Sequence, residues 1–347
     1  MPSLSAPVKL IALGVLAFAT STLLTALVRR AALARGMVDK PNPRSSHTRI
    51  TPRGGGLAVA ITSTAALVAL SWLGMVSIGL LSALAVGGGA VAVVGFLDDR
   101  YSVHPAVRFA VHLGAALWAL YLLGGLPALS FGDHRIELGA GGYLLGALGI
   151  VWVLNLFNFM DGIDGLASCE AIFIAVGGAL LTRSMAAGPE VAAAAWVFAA
   201  ACGGFLLWNW PPARIFLGDV GSGYLGYFVA VLALAAARGN PYAVWVWLIL
   251  GGAFFADATL TLVRRFFRGQ RPHLAHRSHA YQWLARRWRS HRKVTVTFLV
   301  VNLVWLLPWA VLAARVPRYA AAAVIAALAP LAAAALVAGA GRAEVQC

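Results

Sequence analysis

Acid and cysteine are scarce in this chain. Only 12 of the 347 residues are Asp or Glu, and charged residues of both signs make up 11%. The apolar runs leave no room for a water-soluble domain, which excludes a soluble enzyme or binding module. Three cysteines, Cys169, Cys202 and Cys347, are too scattered for a metal site and give no disulfide framework. The first apolar run is too long for a signal-peptide core. It has no convincing small-residue cleavage site before Arg29, so it reads as a retained span.

What the chain does hold is hydrocarbon. Hydrophobic residues make up 61% of it, and its mean hydropathy is +0.81. The composition is that of an all-α polytopic membrane protein. Windows of about 20 apolar residues predict eleven transmembrane helices. They lie near 7–28, 57–73, 79–97, 109–126, 141–158, 169–184, 191–209, 222–238, 242–262, 294–313 and 319–339. The second and sixth are short.

The 27 Lys and Arg residues give a net charge of +15. Such an excess suits orientation, contact with lipid headgroups and an anionic substrate alike. Alternate loops share it unequally. One side is left with Lys9, Arg135, Arg183, Arg238, Arg315 and Arg318, and the other side holds all the rest. The basic side is expected to be cytoplasmic, with the N-terminus outside and the C-terminus inside. The chain then reads as one membrane domain with cytoplasmic loops near 29–56, 98–108, 159–168, 210–221 and 263–293.

That topology is drawn without the acids, so the acids can test it. Asp98 and Asp99 end the third span, Asp161 and Asp164 end the fifth, and Asp219 precedes the eighth. All fall on the cytoplasmic side. Asp133, Glu137, Glu170 and Glu190 fall outside or near the outer ends, where nothing else polar gathers. A cytoplasmic-face site built from several helix ends is favoured over scattered turns. A secondary transporter would place ionisable groups near the bilayer midplane and show paired halves. Here the acids sit at span ends and no internal repeat is visible.

The densest stretch is N-L-F-N-F-M-D-G-I-D-G-L-A, Asn155 to Ala167. Asp161 and Asp164 are three apart, so a helical turn puts both carboxylates on one face. Gly162 and Gly165 allow close approach of backbone to a ligand, or a tight turn. Carboxylates beside the carboxamide of Asn158 suit Mg²⁺, which takes oxygen ligands and shares them with substrate phosphates. A polar turn between two membrane helices accounts for the same letters. Asp98 and Asp99 either pair with Arg100 or Arg108, or answer a cation, because adjacent like charges at a hydrocarbon edge are costly alone. Asp219 lies in R-I-F-L-G-D-V-G-S-G, with a helix predicted from about Ser222. The amides at that helix start favour a phosphate, and an N-cap with glycine-rich packing is the alternative.

In the first basic loop, prolines at 41, 43 and 52 oppose helix, and the Arg44–Arg53 segment forms an electropositive lip. The last large loop carries His273, His276 and His279. No cysteine or carboxylate accompanies them in sequence, against zinc, and phosphate contact through His276, Arg277 and His279 is the more natural use. Residues 285–293 read as an interfacial basic segment. Asp257, inside the ninth span, is expected to reach Arg264 or Arg265 or a polar helix face. His104 and His112 read as interface or packing residues.

Taken in order, these motifs resemble the polyprenyl-phosphate N-acetylhexosamine-1-phosphate transferase superfamily. The matching elements are D-x-P-x-x-R-x-x-H…P-x-G-G at 39–55, Asp98-Asp99, N-x-x-N-x-x-D-G-x-D-G-L at 155–166, F-x-G-D-x-G-S at 216–222 and the histidine loop at 273–279. H-R-S-H-A-Y-Q is closer to the branch that initiates O-antigen than to the phospho-MurNAc-pentapeptide translocase, which carries adjacent histidines there. The resemblance implies Mg²⁺, with Mn²⁺ as the alternative ion, held by Asp219 with Asn158 or another nearby carboxylate. It implies that Asp98 and Asp99 organise or deprotonate a lipid phosphate, with Asp161 and His279 in the catalytic set. Arg44, His47, His276 and Arg277 are implied in substrate binding. Asn209 and Phe216 would bind uridine with the Gly162, Ile163 and Asp164 backbone. The implied reaction passes HexNAc-1-phosphate from a UDP-N-acetylhexosamine to polyprenyl phosphate, in a bacterial inner membrane. No nucleic-acid partner is implied, and a homodimer is left open. A CDP-alcohol phosphotransferase is excluded, because D-G-x-x-A-R followed by two spaced aspartates is missing.

Overall fold

The structure, a computed structural model, describes residues 5–40, 49–270 and 276–342. It is helical throughout, apart from two short antiparallel hairpins. The chain runs through α1 (Ala6–Ala34), α2 (Gly56–Trp72) and α3 (Ile78–Ser82), which continues through a π-helical turn into α4 (Gly88–Tyr101). Next come α5 (Pro105–Leu123), α6 (Gly141–Met160), α7 (Leu166–Ser184), α8 (Pro189–Asn209) and α9 (Asp219–Gly239). α10 (Ala243–Leu250), α11 (Gly252–Phe267) and the short α12 (Ala280–Trp288) follow. α13 (His291–Val301) passes through a second π turn into α14 (Leu307–Arg315), and α15 (Ala320–Ala338) ends the bundle. One contiguous apolar core joins these helices.

Among the described residues, nine helices are long and apolar enough to cross a membrane, and a tenth span results if α10 and α11 count as one. Each of the eleven expected spans coincides with a helix or helix pair, and two of them depart from a plain long rod. α2, the predicted second span, is 17 residues and falls short. The predicted ninth span is not one rod, because α10 and α11 meet at 74°. Gly251 and Gly252 mark the break, where two residues without a Cβ leave the helix backbone weakly held. The sixth span, expected to be short, is a full helix of 19 residues.

α9 is the axis of the bundle, and most of its residues are buried. Its first turns are approached closely by two neighbours. A Cβ on Gly56 of α2 would lie 2.1 Å from the Cα of Gly221, and one on Gly95 of α4 would lie 2.4 Å from the carbonyl oxygen of Asp219. Only glycine fits at such contacts. They draw the ends of α2 and α4 onto the N-terminus of α9, which is where Asp219 stands.

The first loop is tied to the same place. Val38–Asp39 (β1) pairs with Thr51–Pro52 (β2). Beyond β2 the chain runs beside residues 216–217. The Phe216 N–H donates to the Pro52 carbonyl (2.8 Å), while the Gly55 and Gly56 N–H groups donate to the carbonyls of Phe216 and Leu217 (both 2.9 Å). A second hairpin, Leu129–Phe131 (β3) with His134–Ile136 (β4), joins α5 to α6 at the opposite end.

Candidate active site

Helix α9 begins at Asp219 itself, three residues earlier than the predicted start, so this carboxylate occupies the first turn where peptide dipoles favour negative charge. Its Oδ1 accepts a hydrogen bond from Asn158 Nδ2 at 2.8 Å, and its Oδ2 lies 3.6 Å from Arg108. Asn158 Nδ2 is also 3.0 Å from Ser222 Oγ. The end of α6, the start of α9 and the start of α5 therefore meet on one carboxylate.

The adjacent aspartates of α4 divide their work. Asp98 pairs with Arg108 and accepts from the Val103 N–H (2.7 Å), which is the arginine-pairing alternative read from the sequence. Asp99 is buried. Its Oδ2 accepts from the Val220 N–H at 3.2 Å, and Arg53 Nε lies 3.9 Å from its Oδ1. Arg53 also donates to the Asp99 carbonyl. Gly218 makes this possible. It has φ +75, and a Cβ there would come within 2.6 Å of Asp99 Oδ2.

Asp161 and Asp164 do not share a helical face as expected. Asp161 caps the end of α6, and Gly165 at φ +75 turns the chain before α7 begins. The two carboxylates therefore lie in a turn between helices, not on a helical face. Burial first, and then the charges of Asp219, Asp99 and Asp164, push the Asp161 carboxyl well above its usual range. Asp164 is anchored instead. Its Oδ2 accepts from the Ala213 N–H (3.0 Å), its Oδ1 lies 3.3 Å from His291 Nδ1, and its carbonyl accepts from Thr295 Oγ1 (3.0 Å). Asn209, expected beside the uridine, is buried with its carboxamide engaged. It accepts from the Gly165 N–H (2.9 Å) and donates to the Ile215 carbonyl (3.0 Å). It therefore fixes the Gly162–Ile163–Asp164 backbone against the segment that carries the half-buried Phe216.

The histidine loop reaches this centre through Asp257, expected to meet an arginine or a polar helix face. Asp257 of α11 accepts from the Ala280 and Tyr281 N–H groups (2.8 and 2.9 Å) and so caps the N-terminus of α12. Its Oδ1 also lies 3.2 Å from Thr261 Oγ1 on the same helix. His279 stands 3.6 Å from Asp257 and is enclosed, at 2% exposure. The Tyr281 hydroxyl donates to the Phe159 carbonyl (2.9 Å), which docks α12 on the end of α6. His276 stacks on His279 with ring centroids 4.9 Å apart, and its Nδ1 is 2.9 Å from Ser278 Oγ. Arg277 lies between them in the chain, and its carbonyl accepts from Arg286. Arg44 and His47 lie outside the described residues.

Burial, then His279 and Arg265, lower the His276 pKa to about 3. At neutral pH the ring is a neutral hydrogen-bonding group rather than a cation. Between its ordinary value of 6.5 and about 3, the unfolded chain binds a proton that the folded chain does not. Stability therefore falls as pH drops through that window. His276→Gln is expected to flatten the acid limb of melting temperature against pH in detergent. An unchanged limb would show that this ring does not set it.

The donor set also bears on a metal. Among the described residues, no group of three or more His, Cys, Asp or Glu side chains is arranged to hold one, so there is no closed protein cage. Mg²⁺ rarely uses such a cage. It binds through one or two carboxylates plus substrate phosphates and keeps several waters. Asp219, with Asn158 beside it and Asp161 burdened by neighbouring negative charge, fits that habit.

Comparison with known proteins settles the family. Residues 80–237 match the family described as glycosyl transferase family 4. The chain is 30% identical over 312 residues to the "probable undecaprenyl-phosphate N-acetylglucosaminyl 1-phosphate transferase" of Bacillus subtilis, covering 86% of this chain and 83% of that protein. The chain belongs to the polyprenyl-phosphate HexNAc-1-phosphate transferase family. Two further relatives of this transferase extend the match. The decaprenyl-phosphate N-acetylglucosaminephosphotransferase of Mycolicibacterium smegmatis is 30% identical over 320 residues, 81% of this chain and 76% of that one. The undecaprenyl-phosphate alpha-N-acetylglucosaminyl 1-phosphate transferase of Escherichia coli is 29% identical over 301 residues, 80% and 77%.

Two residues in contact with the candidate site were not read as part of it from the sequence, His291 and Asp257. His291 lies in a basic segment that reads as lipid-facing, and nothing in its spacing sets it apart. Asp257 gave a signal, since an acid inside an apolar span is costly without a partner, but the amides that donate to it lie across a loop.

Proposed function

We propose that this transferase moves HexNAc-1-phosphate from a UDP-N-acetylhexosamine to undecaprenyl or another polyprenyl phosphate, releasing UMP and leaving a polyprenyl diphosphate sugar. An oxygen of the lipid phosphate attacks the sugar-bearing phosphorus, and the bond from that phosphorus to the bridging oxygen of UMP breaks. The observation that carries this reading is the meeting of Asp99, Asp219, Asn158 and Arg108 at the N-terminus of α9. Two anionic phosphates must approach one another, so preorganised positive charge and amides aimed at the transferring group lower the barrier.

Each group then has a task. Arg53 and Arg108 hold Asp99 and Asp98 in place and offset phosphate charge. The Gly162–Asp164 backbone, fixed by Asn209 and His291, meets the nucleotide beside Phe216. His276 and Arg277 border the diphosphate. Asp219, Asn158 and Asp161 would hold Mg²⁺, or Mn²⁺ in its place, which neutralises diphosphate charge when bound. The described chain acts as a single transferase unit, and the reaction is the first membrane step of a cell-surface glycan such as O-antigen. The His276–His279 loop, without adjacent histidines, favours a simple N-acetylhexosamine over MurNAc-pentapeptide.

Purified protein given undecaprenyl phosphate, Mg²⁺ and a panel of UDP-sugars tests this through UMP release. Turnover with a UDP-N-acetylhexosamine is expected, and none with any sugar nucleotide sinks the proposal. The orientation proposed is a cytoplasmic site in a bacterial inner membrane, N-terminus out and C-terminus in. A membrane-impermeant thiol reagent should label Asn240→Cys in intact cells and Ser102→Cys only after permeabilisation. The reverse pattern would invert the topology.

The acceptor's isoprenoid chain has a place to lie. An apolar cavity of about 290 Å³ opens between α6, α9 and the bent α10–α11 pair, lined by residues such as Leu145, Gly149, Val153, Trp245 and Phe255. A Cβ on Gly149 would meet nothing within 4 Å, so Gly149→Leu fills the cavity without disturbing the backbone. Its KM for undecaprenyl phosphate is expected to rise while KM for a short-chain acceptor stays fixed. Equal KM shifts for both would remove the tail from this cavity.

A further inference from the structure

The glycine at 162 is explained by a side chain rather than by the backbone. Gly162 does not take the left-handed conformation of Gly165, so its φ does not ask for glycine. A Cβ there would instead lie 2.2 Å from the Tyr281 hydroxyl oxygen, 3.1 Å from Tyr281 Cζ and 3.3 Å from Gln282 Nε2. Two adjacent side chains of α12 therefore close over one residue of the turn between α6 and α7.

Tyr281 is the centre of that contact. It is fully buried, so its hydroxyl needs partners inside the protein. One is the Phe159 carbonyl, at 2.9 Å. That carbonyl belongs to the last turn of α6, where a helix end leaves acceptors without an intrahelical donor. The Gly162 amide hydrogen-bonds the same hydroxyl. At the other end of the residue, the Tyr281 N–H donates to Asp257 Oδ2 (2.9 Å). Gln282 completes the local fold, its Oε1 accepting from the His279 N–H (3.3 Å). One buried side chain thus bolts the loop of His276, Arg277 and His279 to the turn that begins at Asp161.

We propose that Tyr281 is a positioning residue that fixes the distance between the two ends of the nucleotide site. The inference rests on the transferase reading above, in which the Gly162–Asp164 backbone meets the nucleotide and His276 and Arg277 border the diphosphate. With no exposed surface, Tyr281 acts on substrate only through what it holds. UDP reaches both ends, whereas UMP lacks the second phosphate and relies on the first end. Holding both ends at the right separation spares a spanning ligand the cost of ordering them. A ligand that uses one end gains nothing from it.

The test uses full-length protein in detergent with Mg²⁺, and nucleotide binding is read by titration calorimetry. Tyr281→Phe keeps the ring and removes the hydroxyl. It should weaken UDP by about tenfold, the scale of one lost buried hydrogen bond, and leave UMP unchanged. Its KM for the UDP-sugar should rise while KM for undecaprenyl phosphate stays fixed. A thermal cycle tests the contact itself without any ligand. Gly162→Ala should lower the melting temperature of the wild type, and lower it much less in the Tyr281→Phe background, where no hydroxyl stands in the way.

Equal losses for UDP and UMP in Tyr281→Phe, or none for either, overturn the proposal. Equal falls in melting temperature in both backgrounds overturn it too, because the hydroxyl would not then be what excludes a side chain at 162. Failure of the transferase reading looks different: wild-type protein would bind neither nucleotide and release no UMP, and the coupling would fall with it. Wild-type turnover with an unaltered Tyr281→Phe variant removes this proposal alone.

Discussion

Asp219→Asn is expected to lower UMP release by about 10³-fold or more while the protein still folds and still elutes as wild type. The size follows from what the carboxylate does. It stands in the first turn of α9, facing Asn158 and Arg108, where charge on the transferring phosphoryl group must be balanced as the bond breaks. Removing one preorganised electrostatic partner from such a site costs about 10²–10³-fold, and a misplaced phosphoryl group costs more. Asn keeps the shape and an oxygen for Asn158, so packing around α9 survives. The measurement is single-turnover UMP release beside a melting curve. Turnover within tenfold of wild type, at wild-type melting temperature, would remove Asp219 from the centre of the site.

Asp257→Ala is expected to have the next largest effect, by a different route. Asp257 touches no substrate in the proposed mechanism. It accepts from the Ala280 and Tyr281 amides and so fixes the start of α12. An N-cap replaced by Ala costs about 0.5–2 kcal/mol of stability, and here both amides are left buried without a partner. His276, Arg277 and Tyr281 then lose their common anchor. A fall in kcat of about 10²-fold is expected, the scale of a small misplacement at a reacting centre, with little change in KM for the lipid acceptor. Asp257→Asn, which retains one acceptor oxygen, should recover part of the loss. A fall in melting temperature with kcat intact would make Asp257 purely structural.

The parts legible in the sequence were those that repeat a simple physical demand. Acids at hydrocarbon edges are costly, so their gathering on one side of an alternating topology was visible before any contact was known, and Asp99 and Asp219 do meet. The parts that could not be read depend on where the backbone turns. Asp161 and Asp164 look like a helical pair, but α6 ends at Met160 and both lie in the turn before α7. The predicted ninth span looks continuous because hydropathy does not register a 74° bend. Asn209 is recognisable only as a motif letter, and its two backbone contacts come from segments brought together by folding. His291 is hidden among basic neighbours whose charge dominates every local average.

The break at Gly251 has a consequence for how the enzyme meets its acceptor. Both halves of the bent α10–α11 pair line the cavity behind α6 and α9, and a tail bound there as proposed would be reached from the hydrocarbon. A long isoprenoid can then slide in sideways and its product can leave the same way, without either passing through water. Encounter becomes a two-dimensional search, so velocity follows the mole fraction of acceptor in the bilayer. Diluting the membrane with inert lipid slows the enzyme, and diluting the buffer does not.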